Sequence, residues 1–386
     1  MPDVDRRKRL GAYYTPADLV RAVVAEALFP GARTVVDPAA GDGRFLEATG
    51  LPERVGIDVA PASPEVEHGD ALRRDWGGRT FDVVVGNPPY LNQMATATTR
   101  GGRSPHGGGP YADAAAEFLA LAMRLARPGG RIGLVLPQSL LAARDAAPVR
   151  AMVDESAVLR WMWWSPTRMF DASVRVWAGV WEVGGSPGPV RRSHGPGFEP
   201  LDVIAMPSTW AGLISEHTPP TPTSDAPALS SIARFGMNFR DQYYGLVDAV
   251  GDDVDGPPLV TSGLIDPGVC RWGRRPVRFA KRRFAAPRVD LARLDDRMRR
   301  WADDRLVAKI LIANQTKVIE AVHDPTGAWL PSVPVITCFS DDPDRVLAVL
   351  ASDTATRWVH HHAAGSGLSA GTVRLTPSLL GSIPLW

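Results

Sequence analysis

Asp82-Val83-Val84-Val85-Gly86-Asn87-Pro88-Pro89-Tyr90 is the stretch that decides the fold. Three consecutive β-branched residues predict a buried strand. The Gly-Asn-Pro-Pro that follows ends it, because Pro88 and Pro89 lack ladder donors and force a turn. Asn87 and Tyr90 therefore stand at the carboxyl end of a strand, which in an open parallel sheet is where ligands bind. The chemistry suits a planar amino group: the Asn87 side-chain carbonyl and the Pro88 peptide carbonyl accept, and Tyr90 offers an aromatic face. A strand ending in a proline turn, with a tyrosine plugging the edge, is the purely structural reading of the same residues.

The residues upstream weigh against that plainer reading. Thr34-Val35-Val36-Asp37-Pro38-Ala39-Ala40-Gly41-Asp42-Gly43-Arg44-Phe45-Leu46 reads as strand, glycine turn and helix start. Glycines at 41 and 43 let a ligand approach the backbone where a Cβ would collide, and the helix start offers free N–H groups. The next strand, Arg54-Val55-Gly56-Ile57-Asp58, ends in an acid about 20 residues beyond Asp37, where a carboxylate takes ribose hydroxyls. His68-Gly69-Asp70-Ala71-Leu72 places one more acid in a loop. Before all of these, Tyr13-Tyr14-Thr15-Pro16 leads into a helical pattern over 17–28, with Thr15 as N-cap and Pro16 as first helical residue.

In this order the motifs resemble the class I S-adenosylmethionine-dependent methyltransferases, and among them the γ-class, TaqI-like DNA adenine-N6 methyltransferases. The resemblance implies a Rossmann-like, doubly wound α/β sheet, with catalysis by Asn87, Pro88, Pro89 and Tyr90 and with Phe170 as the second ring around a flipped adenine. It also implies that S-adenosyl-L-methionine is held by Tyr14, Thr15, Asp37, Ala39, Gly41, Asp58, Val59, Asp70 and Asn87. The family loop often has Cys where this chain has Ala40. The same Asn-Pro-Pro-Tyr signature serves RNA and protein-glutamine methyltransferases, and a non-catalytic DNA-recognition subunit would keep the fold. Both stay open as alternatives.

Composition sets the frame. A chain of 386 residues with 45% hydrophobic and 22% charged residues is expected to form two globular domains. The reading places a methyltransferase domain at 1–225 and a target-recognition domain at 226–386, divided at the Pro/Thr-rich break of 218–225. No apolar run of about 18 residues occurs, and residues 1–9 are too basic for a signal peptide. The expectation is a cytoplasmic protein without membrane segments. Two isolated cysteines, Cys270 and Cys338, favour a reducing compartment and argue against structural zinc. His360-His361-His362 lacks a further ligand at metal spacing, so no metal is expected.

Downstream of Tyr90, the Gly/Thr/Arg-rich residues 91–110 read as a mobile loop. An amphipathic helix is expected over 111–126, stopped by Arg127-Pro128-Gly129-Gly130. A buried strand follows over 131–137, a helix near 146–154, and strands over 158–164 and 174–182 that form a terminal hairpin. Residues 201–206 are an edge extension of the first domain. Paired strands over 309–322 and 333–338 and a helical 344–359 follow in the second half, which is α+β. Between Arg271 and Lys309 there are 14 Lys or Arg against five Asp. This basic stripe, with Trp272, Phe279 and Phe284 interleaved, predicts contact with double-stranded DNA through Arg274, Arg275, Arg278, Lys281, Arg282 and Arg283. The reading leaves room for a separate restriction or defence-system protein as partner.

Overall fold

The computed structural model describes residues 14–90, 107–109, 112–165, 174–216, 219–223, 225–238, 240–369 and 371–386. Contacts divide the chain into two compact units, Met1–Ile214 and Ser215–Trp386. The division falls ahead of the Pro/Thr-rich break at which the sequence reading set its boundary.

The first unit is built on one nine-stranded sheet of order β3-β2-β1-β4-β5-β7-β6-β8-β9. Its strands are β1 (Thr34–Asp37), β2 (Glu53–Asp58), β3 (Glu67–His68), β4 (Phe81–Gly86), β5 (Ala126–Pro137), β6 (Ala157–Trp164), β7 (Val176–Val183), β8 (Val190–His194) and β9 (Glu199–Ile204). From β3 to β5 all neighbours are parallel. β7 then lies antiparallel between β5 and β6, the expected terminal hairpin. β9 lies at the sheet's far edge, where the edge extension was expected. Strand order reverses between β1 and β4: the chain leaves β1 for β2 on one side and returns through β4 on the other. That switch point opens a crevice at the carboxyl ends, below which Val83, Val84 and Val85 are fully buried.

Helices cover both faces. α1 (Ala17–Ala27) buries Leu19, Val20, Val23 and Val24 against the sheet, and Arg131 on β5 closes its end by donating to the Glu26 and Leu28 carbonyls at 3.1 Å each. α2 is the short Arg44–Thr49 turn after the glycine loop. On the other face, α3 (Ala114–Leu125) packs between β5 and α4 (Ala147–Ser156). α3 was expected to be amphipathic, but ten of its 12 residues are buried, with both β5 and α4 packed against it.

Three local expectations are corrected. The Arg127-Pro128-Gly129-Gly130 segment does not separate helix from strand; β5 starts directly at Ala126. Gly129 adopts φ +74° there, and a register shift opposite Phe81 and Val83 absorbs the irregularity. Pro16, not Thr15, precedes the first helical residue, and no side chain caps that helix. The helical stretch after residue 343 is two helices, Pro343–Leu350 and Asp353–Ala363, since Ser352 accepts from the Ala355 N–H at 3.0 Å and starts the second. The tryptophans of β6 and β7 are core, as expected, with Trp177, Trp181 and Trp210 meeting edge-on or stacked at 5.6–5.8 Å.

The second unit centres on a four-stranded sheet that joins Arg234–Met237, Ile336–Phe339, Lys309–Ile312 and Ala321–Asp324, with antiparallel pairing throughout. The two stretches expected to pair, 309–322 and 333–338, do so here. Cys338 lies fully buried in this sheet, where burial pushes its thiol up to about 12. Lys309 and Asp324 form a buried ion pair, Nζ to Oδ2 at 2.6 Å. Burial lowers the lysine's affinity for its proton, and the Asp324 carboxylate opposes that. The remaining lone pairs of Asp324 take the Ala328 and Trp329 N–H groups at 3.0 and 2.9 Å, so the carboxylate is fully satisfied. Among the described residues no helix is long and apolar enough to cross a membrane.

Removing one partner of the buried pair leaves the other uncompensated. Asp324→Ala is expected to cost about 3–5 kcal/mol in urea unfolding, while Lys309→Met with Asp324→Leu recovers most of the loss.

Candidate active site

The crevice between β1 and β4 gathers residues from four segments. Asp82 sets their register from the far end of the sheet. Its Oδ2 accepts from the N–H groups of Arg33 and Thr34 at 2.8 and 2.9 Å, and its Oδ1 from Arg127 Nε at 2.6 Å. Burial alone would raise the Asp82 carboxyl; these donors hold it well below the usual carboxylate range. With β4 fixed against β1, Val35 pairs Val83 and Val36 pairs Val84. The two strands then deliver Asp37 and Gly86-Asn87 side by side.

Asp37 is 1% exposed. Its Oδ1 accepts the Ala39 N–H at 3.0 Å, and its side chain lies on Gly86, where an added Cβ would stand 2.5 Å from Oδ1. Gly86 also has φ +151°, so both space and backbone demand glycine there. Burial pushes the Asp37 carboxyl up to about 8, and the neighbouring Asp58 and Asp42 carboxylates add to the rise.

Asn87 follows at the strand end. Its Nδ2 donates to Thr15 Oγ1 at 3.0 Å, which accounts for the buried threonine that caps no helix. Asn87 Oδ1 accepts from the Tyr90 hydroxyl, which also lies 3.4 Å from the Val135 carbonyl on β5. The Tyr90 ring is half-buried against the core on both faces of the sheet. Pro88 is buried and Pro89 half-buried. The fold thus brings Thr15, Asn87 and Tyr90 into direct contact, although 72 positions separate the first two.

The expected cofactor residues divide. Asp58 closes the glycine loop: its Oδ2 accepts the Gly41 N–H at 2.9 Å and its Oδ1 the Ala60 N–H at 2.8 Å. Ala39 and Gly41 are therefore held by Asp37 and Asp58 in turn. Tyr14 and Val59 are exposed. Asp70 is half-exposed and bonds to its own loop, with the Leu72 N–H at 3.0 Å and Arg73 at 3.5 Å. Phe170 lies outside the described residues, as does most of the 91–110 loop.

Two contributors escaped the sequence reading. Gln138, at the end of β5, is buried and donates from Nε2 to the Val176 and Ser165 carbonyls at 3.1 and 3.4 Å. Its own N–H donates to the Arg175 carbonyl at 2.9 Å, so it fastens both roots of the segment that carries Phe170. A polar glutamine directly after a strand-ending proline was the available signal. Arg44 is the other, and it binds Thr15 and Asp42.

In the second unit the basic residues prove unequal. All six arginines and lysines singled out are exposed. Arg275 is occupied, however: it grips Asp266 from two nitrogens at 2.9 and 2.8 Å, beside Arg271 on the same carboxylate. Arg278, Lys281, Arg282 and Arg283 belong to a hairpin of Val277–Phe279 and Arg282–Phe284, whose turn residues Ala280 and Lys281 have φ +49° and +65°. Phe279 and Phe284 are buried beneath it, and Arg282 lies 5.0 Å over the Phe284 ring. Among the described residues no carboxylate pairs with Arg274 or with these four, and no group of three His, Cys, Asp or Glu fits a metal ion.

Residues 59–170 match the family described as Eco57I restriction-modification methylase. A type II methyltransferase of Thermus thermophilus is 29% identical over 182 residues, 40% of each chain. The type II methyltransferase M.XamI of Xanthomonas campestris pv. amaranthicola is 31% identical over 108 residues, 22% of this chain and 20% of its own. The matched region thus spans less than half the length of either relative. In fold, the type IIL restriction-modification enzyme MmeI, solved in complex with DNA, covers 97% of this chain and 64% of its own at TM-score 0.54 and 12% identity. The sheet carries its Asn-Pro-Pro-Tyr at the switch-point crevice, inside the stretch of residues 59–170 that is similar to the Eco57I restriction-modification methylases.

Proposed function

We propose that this chain is a site-specific DNA methyltransferase that transfers the methyl group of S-adenosyl-L-methionine to N6 of a flipped adenine. The observation that carries the reading is the pinned amide of Asn87. With Nδ2 committed to Thr15 Oγ1 at 3.0 Å, Oδ1 is the acceptor side of the amide. A carbonyl oxygen has two lone pairs, so Oδ1 can hold the Tyr90 hydroxyl and still accept an amino proton. The Pro88 carbonyl, just beyond the same strand, takes the second proton. Two fixed acceptors draw the N6 lone pair out of conjugation and meet the positive charge that develops as the bond forms. Tyr90 and Phe170 supply the ring faces that offset the cost of unstacking the base.

The cofactor, when bound, supplies an electrophilic methyl on a cationic sulfonium. The site suits such a cation. Besides its own burial, Asp37 feels the Ala39 N–H and two further carboxylates, Asp58 and Asp42. A positive ligand would lower its pKa and ionise it. Thr15, Asp37, Ala39 and Gly41 would hold the methionine part, with Asp58, Val59 and Asp70 on the ribose and adenine. The hairpin arginines would neutralise phosphates of double-stranded DNA, and a separate restriction or defence-system protein would complete such a system.

Asn87→Ala is expected to lower methyl transfer at least ~100-fold while S-adenosylmethionine binding, followed by titration, survives; an Asn87→Ala protein of full activity would sink the assignment.

The pH dependence follows from Asp37. Its carboxyl titrates near 8 when folded, against an ordinary value of 3.8, so the native state binds the proton more tightly. Its contribution to stability is complete below about 4 and is lost as pH rises to about 8. The ligand-free protein should melt progressively lower across that window, and Asp37→Asn should flatten the slope. An equal slope in both proteins excludes the assignment of the buried proton.

Salt dependence separates the arginines. Replacing Arg278, Lys281 and Arg282 together with alanine should reduce the slope of log Kd for duplex DNA against log salt by roughly 3. Arg275→Ala should leave that slope unchanged, because Asp266 already occupies its guanidinium.

A further inference from the structure

We infer that Arg44 is a positioning residue: it clasps the Tyr14-Thr15 segment onto the glycine loop and, through Thr15, fixes the rotation of the Asn87 amide. Every side of its guanidinium is engaged. Nε lies 3.0 Å from both Asp42 oxygens and one terminal nitrogen donates to Asp42 Oδ2 at 2.5 Å. The other terminal nitrogen donates to the Thr15 carbonyl. The flat face covers the Tyr14 ring, 5.0 Å from its centroid. The Arg44 backbone N–H completes the Asp42 contact at 3.3 Å. Asp42, in turn, has its carboxyl lowered against its own burial by these Arg44 donors.

The consequence runs through one residue. Thr15 is 2% exposed and presents two groups: a carbonyl taken by Arg44 and a hydroxyl that accepts Asn87 Nδ2. Asp42, Arg44, Thr15 and Asn87 thus form a continuous polar chain from the glycine loop to the amide. An arginine can do this because its fork binds a carboxylate on one edge and a carbonyl on another while its face stacks. A lysine ammonium reaches one partner or the other, and stacks less well. The catalytic consequence rests on the proposed role of Asn87; the clasp itself does not.

The test uses the full chain with Arg44→Ala, Arg44→Lys, Thr15→Val and Thr15→Ser. Hydrogen exchange at the Val20 amide, which closes the first turn of α1 on the Pro16 carbonyl, reads the clasp without activity. Arg44→Ala should speed that exchange about tenfold or more and raise KM for S-adenosylmethionine about tenfold, with Arg44→Lys between it and the native protein. Thr15→Val should lower kcat about tenfold, the weight of one hydrogen bond, with KM for the cofactor changed less than kcat. Thr15→Ser, which keeps the hydroxyl, should recover most of that loss.

Unchanged exchange and KM in Arg44→Ala overturn the clasp. Equal impairment of Thr15→Val and Thr15→Ser overturns the orienting hydroxyl. A fully active Asn87→Ala protein would instead remove the proposed chemistry, and the exchange result would still judge Arg44.

Discussion

A carboxyl group pressed against a glycine holds the crevice together. Asp37 ends β1 and Gly86 ends β4, and no atom larger than hydrogen fits between the glycine Cα and the Asp37 oxygen. The parallel pairing of these two strands is what makes the approach possible, and Asp82 secures that pairing from the opposite end. Everything proposed for the site descends from this junction. It sets where the strand releases Asn87, and it buries a carboxyl whose charge burial suppresses.

The molecule treats its buried acids in two ways. Asp324 is satisfied completely, by one lysine and two N–H groups, and serves the core of the second unit. Among the described residues Asp37 has one N–H and two neighbouring acids. The first arrangement stabilises a fold; the second makes the carboxyl hold its proton more tightly than in the unfolded chain. The same contrast separates the exposed arginines. Arg275 and Arg271 spend their charge on Asp266, whereas the hairpin from Val277 to Phe284 carries its charges without a carboxylate partner among the described residues. Its turn takes two positive φ values on Ala280 and Lys281, where glycine or asparagine would be easier, so a cationic side chain stands at the tip at some conformational cost.

Much of the fold was legible because its signals are local. A valine triplet before Asn-Pro-Pro, a glycine turn between strand and helix, and acids at strand ends each report on a few neighbouring residues. The parallel core of the sheet and the terminal hairpin follow from them. Where local signals failed, a distant partner had intervened. Thr15 has the residue type of an N-cap, but the amide of Asn87 claims its hydroxyl. Arg127-Pro128-Gly129-Gly130 has the composition of a stop, yet pairing with Phe81 and a bond to Asp82 carry β5 straight through it. α3 shows an amphipathic pattern and is enclosed nonetheless, since neither β5 nor α4 can be inferred to face it from its own residues.

The sequence by itself determined the strand ends, the order of the motifs and the residue types they deliver: an amide, a tyrosine and acids at the carboxyl edge of a parallel sheet. Those follow from periodicity and from the backbone limits of glycine and proline. Tertiary structure alone decided which of these groups touch. It paired Thr15 with Asn87, set Asp58 to hold Gly41, left Asp70 in its own loop, bound Arg44 to Thr15 and tied Gln138 to the Val176 carbonyl. Hydrogen bonds across tens of residues exist only once the sheet has closed, because side-chain type specifies what a group can accept or donate and the fold specifies what stands within about 3 Å of it.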